Sequence, residues 1–265
     1  MWTEILREAA EEARRRVMPL LVGRGIPISG DRLSRLKALL DAEAERAVEE
    51  VLKRRSVRAH IVSEEAELQL GGGSETRIVV DPVDGTNNLS RGFPLAAVSI
   101  AVSETPLFDG VVAALVMNLF TGEAFWAERG AGARWDGRPI FPSGITSLED
   151  ALLSVDVSKV GDVKTLEGLL RRGRHLRQLG SAALSLSLIA AGVLDAYVDL
   201  RGLIRVVDVA AGLFILREAG GEIHVLGENL GEVELERDRR LSLIASANPP
   251  LMEEILRSLG LDTGR

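Results

Sequence analysis

The chain has 265 residues, 46% of them apolar and 27% charged, an ordinary globular composition long enough to bury a sizeable core. With no Cys and three His it excludes disulfides, thiolate-bound zinc, iron–sulfur clusters and a thiol nucleophile, and it offers little for a multi-histidine metal site. A net charge of −7 argues against a nucleic-acid surface, and no apolar run approaches the ~18 residues of a membrane span, so a cytoplasmic chain without a secretory signal is expected.

Apolar spacing predicts an amphipathic helix over 3–18, with Ile5, Leu6, Ala9 and Ala13 set among Glu and Arg. Gly23, Gly25, Pro27 and Gly30 interrupt the chain before a second helix over 33–54, whose apolar side carries Leu40, Ala44, Ala47, Val48 and Val51. His60 to Ser63 reads as a strand leading into Glu64 and Glu65, and Gly71-Gly72-Gly73-Ser74 as a flexible loop. Arg77 to Val80 is a short buried strand that ends at Asp81. Residues 95–102, 108–117 and 122–127 read as successive antiparallel strands, followed by an irregular connection through Gly130, Gly132, Asp136-Gly137 and Pro139. A boundary is expected within 140–149, dividing an α+β half (1–145) from an α/β half (146–265). In the second half, strands are expected over 152–157, 194–199, 221–225 and 241–245. Helices are expected over 163–172, 181–192, 208–219 and 250–259, the last closed by Gly260.

The chemistry concentrates in Asp81-Pro82-Val83-Asp84-Gly85-Thr86. Two carboxylates follow a buried strand, Pro82 stiffens the bend between them and Gly85 relaxes it. Such paired charges repel unless a cation sits between them, and hard oxygen donors of this kind suit Mg²⁺. An ordinary β-turn with Asx capping is the alternative reading of the turn alone. Glu64, Glu65 and Asp208 add acidic residues at other element ends, which strengthens the metal reading.

Three ordered motifs then resemble the inositol monophosphatase family of Mg²⁺-dependent sugar phosphatases. They are Ser63-Glu64-Glu65, the Asp81 to Thr86 stretch with Asn87 after it, and Val207-Asp208-Val209-Ala210-Ala211-Gly212 followed by Glu218-Ala219-Gly220-Gly221. The resemblance implies an α+β sugar-phosphatase fold, a layered α/β/α/β/α sandwich, that forms a homodimer. It implies two or three Mg²⁺ ions, replaceable by Mn²⁺, on Glu64, Asp81, the Val83 carbonyl, Asp84 and Asp208. Asp41, Glu65 and Thr86 take catalytic roles: Asp41 and Thr86 position the attacking water, and Glu65 shapes the surroundings of the metal. Gly85, Thr86, Gly180 and Ser181 would hold the small-molecule phosphate ester. The implied reaction is hydrolysis of a phosphomonoester by in-line attack of water.

Three positions depart from the family pattern. Lys37 and Ala38 stand at its usual Val-Thr, which removes a hydroxyl and puts Lys37 four residues before Asp41, within pairing distance on a helix. Val207 replaces a Trp and reads as packing. Arg201 stands where inositol-specific members carry an acid, and an Arg there suits a second phosphate. That resembles the archaeal members which hydrolyse both fructose 1,6-bisphosphate and inositol phosphates, with Arg205, Arg171, Arg172, Arg174 and Arg177 as further cations nearby. The rival readings are a 3′-phosphoadenosine 5′-phosphate nucleotidase, which 4% aromatic residues disfavour, and a non-catalytic scaffold of the same fold.

Overall fold

The computed structural model describes residues 2–21, 30–64 and 66–261; Gly23, Gly25, Pro27 and Glu65 therefore lie outside the described residues. Two amphipathic helices open the chain, α1 (Trp2–Val17) and α2 (Asp31–Arg54). Ala9, Ala10 and Ala13 of one and Ala44 and Ala47 of the other are fully buried, and such short side chains let the two helices approach closely. Leu6, Leu36, Leu40 and Leu52 fill the layer beneath, each fully buried aliphatic side chain contributing about 1.5–3 kcal/mol relative to exposure.

That pair covers one face of an eight-stranded sheet, ordered β2-β1-β3-β4-β5-β6-β7-β8. Its strands are β1 (Ala59–Ser63), β2 (Glu67–Leu70), β3 (Arg77–Asp84), β4 (Ala97–Ser103), β5 (Val111–Asn118), β6 (Ala124–Glu128), β7 (Ala133–Trp135) and β8 (Arg138–Pro139), with helix α3 (Thr86–Arg91) after β3. The β1–β3 pair is parallel and the others are antiparallel. After α4 (Glu167–Arg172) and α5 (Ala182–Ala190) comes the long α6 (Val206–Ala219), and α7 (Pro249–Ser258) ends the fold. A second sheet of five strands, ordered β10-β9-β11-β13-β12, is built from β9 (Leu152–Val155), β10 (His175–Arg177), β11 (Ala196–Arg205), β12 (Glu222–Val225) and β13 (Arg240–Ser246). The change from one sheet to the other falls between Pro139 and Leu152.

Three apolar cores stack these elements into the α/β/α/β/α order that the family resemblance implied. One lies between α1, α2 and the first sheet. The second holds α5 and α6 between the two sheets, and the third packs α4 and α7 on the outer face of the second sheet. The apolar character of α5 and α6 all round follows from this central position, since both faces meet a sheet. Val207 is 1% exposed within the central core, in keeping with its reading as a packing residue. Gly212 is required there, because a Cβ would sit 2.9 Å from Leu186 Cβ and 3.2 Å from the Ala183 carbonyl.

Four local expectations are corrected. The β3 strand does not end at Asp81 but runs on to Asp84. Its pairing with β4 passes from Asp81↔Ser99 to Asp84↔Ala97, so a bulge with one extra residue absorbs Pro82, which has no N–H to give the ladder. The Gly-rich connection after β6 contains the β7–β8 hairpin, and Trp135 of β7 stacks on Phe125 of β6 with ring centroids 5.0 Å apart. Strand β11 continues to Arg205, across an irregularity between Asp199 and Ile204. The short edge strands β2 and β10 carry too few residues to show a period. Among the described residues no helix is long and apolar enough to cross a membrane.

Candidate active site

Strand register explains why Glu64 and Asp81 meet. Ser63 of β1 lies beside Val80 of the parallel β3, so Glu64, just past the end of β1, comes level with Asp81, the next residue of β3. Asp208 arrives from the central layer, in the first turn of α6. Glu64, Asp81 and Asp208 each offer a carboxylate oxygen, and these oxygens lie within 4.8 Å of one another. Three hard oxygen donors at that separation, two of them reached from solvent, form a donor set that fits a divalent ion such as Mg²⁺.

Asp84 stands beside this group and is held by the other central helix. Its Oδ2 accepts the Ser181 hydroxyl at 2.5 Å and the Ala183 N–H at 2.8 Å. Ser181 is also the N-cap of α5, accepting the Leu184 N–H at 3.4 Å. The positive ends of α5 and α6 thus face the carboxylates that close β3.

Burial dominates the electrostatics. It pushes Asp81 well above the usual carboxylate range, and the charges of Asp84, Asp208 and Glu64 add to the shift. Burial also raises Asp84 to about 7; the Ser181 hydrogen bond opposes the rise and the charge of Asp208 adds to it. Asp208 is raised by burial as well, against the pull of Arg205. A cluster of carboxylates kept this close at neutral pH gains from any cation placed among them.

The turn after Asp84 completes the site. Gly85 has φ 91°, and a Cβ there would lie 2.9 Å from the Leu95 carbonyl, so only glycine fits the step from β3 into α3. Thr86 follows, its hydroxyl 3.2 Å from Asp41 Oδ1 and 3.0 Å from the Val83 carbonyl. The structure therefore brings Asp41 of α2, Val83 and Thr86 together. Lys37, one turn before Asp41, places its ammonium on the Asn87 side-chain oxygen.

A cavity of about 1110 Å³ opens over these groups. Glu64, Asp84, Gly85, Thr86, Ser181 and Asp208 line its floor, and Gly180 adjoins them. Arg201 lines the same cavity, but its guanidinium is engaged: bonded to both oxygens of Asp199, at 2.9 and 2.6 Å, and 2.9 Å from Asp156. Arg171, Arg172 and Arg174 pair with Glu167, Glu254 and Glu149, away from the cavity, and Arg177 bonds the Leu176 carbonyl. Arg91 and Lys159, which sequence reading did not single out, line the wall instead.

Two further residues escaped the sequence reading. The Asn88 amide donates to the carbonyls of Leu95 at 2.8 Å and Leu179 at 2.7 Å, tying α3 to the segment entering α5. Its position two residues after the acidic motif was the available signal. Asp199 holds Arg201, and the two-residue spacing on a strand, which puts both side chains on one face, pointed to it.

The sequence profile described as the inositol monophosphatase family matches residues 5–260. A fructose-1,6-bisphosphatase/inositol-1-monophosphatase of Methanothermobacter thermautotrophicus is 34% identical over 97% of this chain and 96% of its own. A Nus factor SuhB of Xylella fastidiosa is 36% identical over 69% of this chain and 66% of its own. The crystal structure of the extragenic suppressor protein suhB from Bartonella henselae superposes with a TM-score of 0.80 at 28% identity, over 99% of both chains.

Proposed function

The chain belongs to the inositol monophosphatase family, and on that basis we propose that it is a Mg²⁺-dependent phosphatase of fructose 1,6-bisphosphate and inositol 1-phosphate. The observation that carries the reading is the convergence of Glu64, Asp81 and Asp208, with Glu64, Asp208 and Asp84 lining the cavity and Asp81 buried beside them. Glu64, Asp81, Asp84 and Asp208 would hold the metal, assisted by the Val83 carbonyl. Bound there, a divalent ion supplies a more acidic water and neutralises charge on the phosphoryl oxygens.

This chain's own groups do the positioning. The Thr86 hydroxyl lies between two acceptors, the Val83 carbonyl and the Asp41 carboxylate, and lines the cavity, where it would orient the attacking water. Gly85 and Thr86 present backbone N–H groups to the phosphate. Gly180 and Ser181, at the start of α5, meet the sugar hydroxyls. Arg91 and Lys159 on the wall favour a substrate with a second anionic group, which supports the bisphosphate. The scaffold reading finds a relative in the Nus factor SuhB, yet all four metal carboxylates are present here.

Phosphate release with and without Mg²⁺ tests the reading on three substrates: fructose 1,6-bisphosphate, inositol 1-phosphate and 3′-phosphoadenosine 5′-phosphate. Mg²⁺-dependent turnover with the highest kcat/KM on the bisphosphate is expected. Preference for the nucleotide contradicts the substrate, and no turnover on any of them favours the scaffold.

A pH dependence follows from Asp84. Its pKa in the folded chain, about 7, lies above the ordinary 3.8, so its contribution to metal-free stability is lost as pH rises between those values. Metal binding requires the charged carboxylate and releases the proton. The rise in Tm caused by Mg²⁺ is therefore expected to be small near about pH 5.5 and to grow toward about pH 8. Thermal unfolding with Mg²⁺ and with EDTA across that range measures it; an increment that does not change with pH contradicts the assignment.

A further inference from the structure

Arg205 occupies the acidic cluster itself. A single guanidinium nitrogen, Nη2, lies 2.6 Å from Glu64 Oε1 and 2.9 Å from Asp208 Oδ1. The other oxygen of Asp208, Oδ2, accepts the backbone N–H of Arg205 at 2.9 Å, which caps α6. Oδ2 also meets the Arg205 Nε–H at 3.5 Å, so Asp208 caps its helix and, with Glu64, holds the guanidinium. Asp81, the third acid, is bonded to the Val83 N–H instead.

The side chain has somewhere else to go. Arg205 stands at the junction of β11 and α6 with extended backbone (φ −89°, ψ 154°). It is 24% exposed and forms part of the cavity wall. The cap of α6 uses the Arg205 backbone N–H, so a guanidinium swung into the cavity would leave that hydrogen bond in place.

We propose that Arg205 is a built-in counter-cation of this cluster, which a divalent ion must displace from Glu64 and Asp208, so that Arg205 sets how tightly the site binds metal. The proposal rests on the metal reading above. The guanidinium and the metal ion draw on the same carboxylate oxygens, and two cations within one cluster repel. The guanidinium relieves the repulsion among Glu64, Asp81 and Asp208, and so lowers the gain that a metal ion would bring. Once displaced, it points into the cavity that receives the phosphate ester, where a planar fork of donors suits phosphate oxygens.

The test is Mn²⁺ titration of the intact chain and of R205Q and R205K, by calorimetry and by the electron-spin resonance of free Mn²⁺, with no substrate present. R205Q is expected to bind Mn²⁺ roughly 5- to 150-fold more tightly, the range of an ordinary coupling between two bound groups. R205K keeps the charge but loses the fork, and is expected to fall between R205Q and the parent. In EDTA the Tm of R205Q is expected to lie below that of the parent, and saturating Mg²⁺ is expected to close the gap. Equal or weaker Mn²⁺ binding by folded R205Q overturns the proposal and assigns Arg205 to support of the carboxylates. Should R205Q fail to fold, R205K decides by the same sign. Absence of Mn²⁺ binding in the parent and in both variants overturns the metal reading together with this one. Binding in the parent with unchanged affinity in the variants overturns this one alone.

Discussion

Replacing Asp84 by Asn is expected to lower kcat/KM on either sugar phosphate by more than about 100-fold, the upper end of the loss seen when a residue merely orients a metal ligand. The folded chain in EDTA is expected to become no less stable. Both outcomes come from the same geometry. An Asn at this position keeps an oxygen for the Ser181 hydroxyl and the Ala183 N–H, so the cap of α5 survives. What disappears is a buried negative charge that burial and Asp208 already hold at a raised pKa of about 7. The metal-free cluster loses repulsion while a metal ion loses a ligand charge, the opposition of stability and activity often found at active sites. Steady-state kinetics with matched thermal unfolding in EDTA checks both. A folded D84N chain with near-normal kcat contradicts the site, and a large drop in Tm would make Asp84 a structural residue.

The second large effect concerns Arg201. Arg201→Ala is expected to destabilise the fold by about 3–5 kcal/mol, the usual cost of removing one partner of a buried ion pair. Asp199 is fully buried and meets the guanidinium through both its oxygens, while Tyr197 Oη stands 3.4 Å away, at the limit of hydrogen bonding. The third guanidinium nitrogen, Nη1, is held 2.8 Å from the Ser158 carbonyl. In the double variant R201A/D199N the fully buried charge is gone and only the partly exposed Asp156 loses its partner, so most of the lost stability is expected to return. Urea unfolding of the two variants measures this; a single variant within about 1 kcal/mol of the parent contradicts the pairing.

This pairing also reshapes the test of the bisphosphate. Arg201→Glu is expected to weaken bisphosphate use more than inositol phosphate use, but it also sets a second carboxylate against buried Asp199. The comparison is therefore better made in the D199N background. A larger loss on the bisphosphate supports Arg201 as a substrate contact, and equal losses assign it to holding Asp199 and Asp156.

The parts of the fold that the sequence made legible are those with long periods or dense motifs. Helices α1 and α2 carry their apolar residues on one face, and β4, β5 and β6 are bounded by clear turn residues. The acidic motifs could be placed at element ends, because each follows a run of apolar residues. Their convergence was not legible from local pattern. It depends on the parallel register of β1 with β3 and on α6 lying between two sheets, and both are set by contacts distant in sequence. The bulge at Pro82 looked like a turn because proline and glycine mark both. Arg205 was legible as a cation near the third motif. That it lies between two carboxylates, one of them 141 positions earlier in the chain (205 − 64), was not.

The measurement that bears most directly on the acidic cluster is a crystal of the intact chain soaked in Mn²⁺ and recorded at the manganese absorption edge. The expected result is an anomalous peak among Glu64, Asp81 and Asp208, with the Arg205 guanidinium moved off Glu64. A map without a peak there, from crystals whose protein retains Mg²⁺-dependent phosphatase activity in solution, would contradict the assignment of these carboxylates as the metal site.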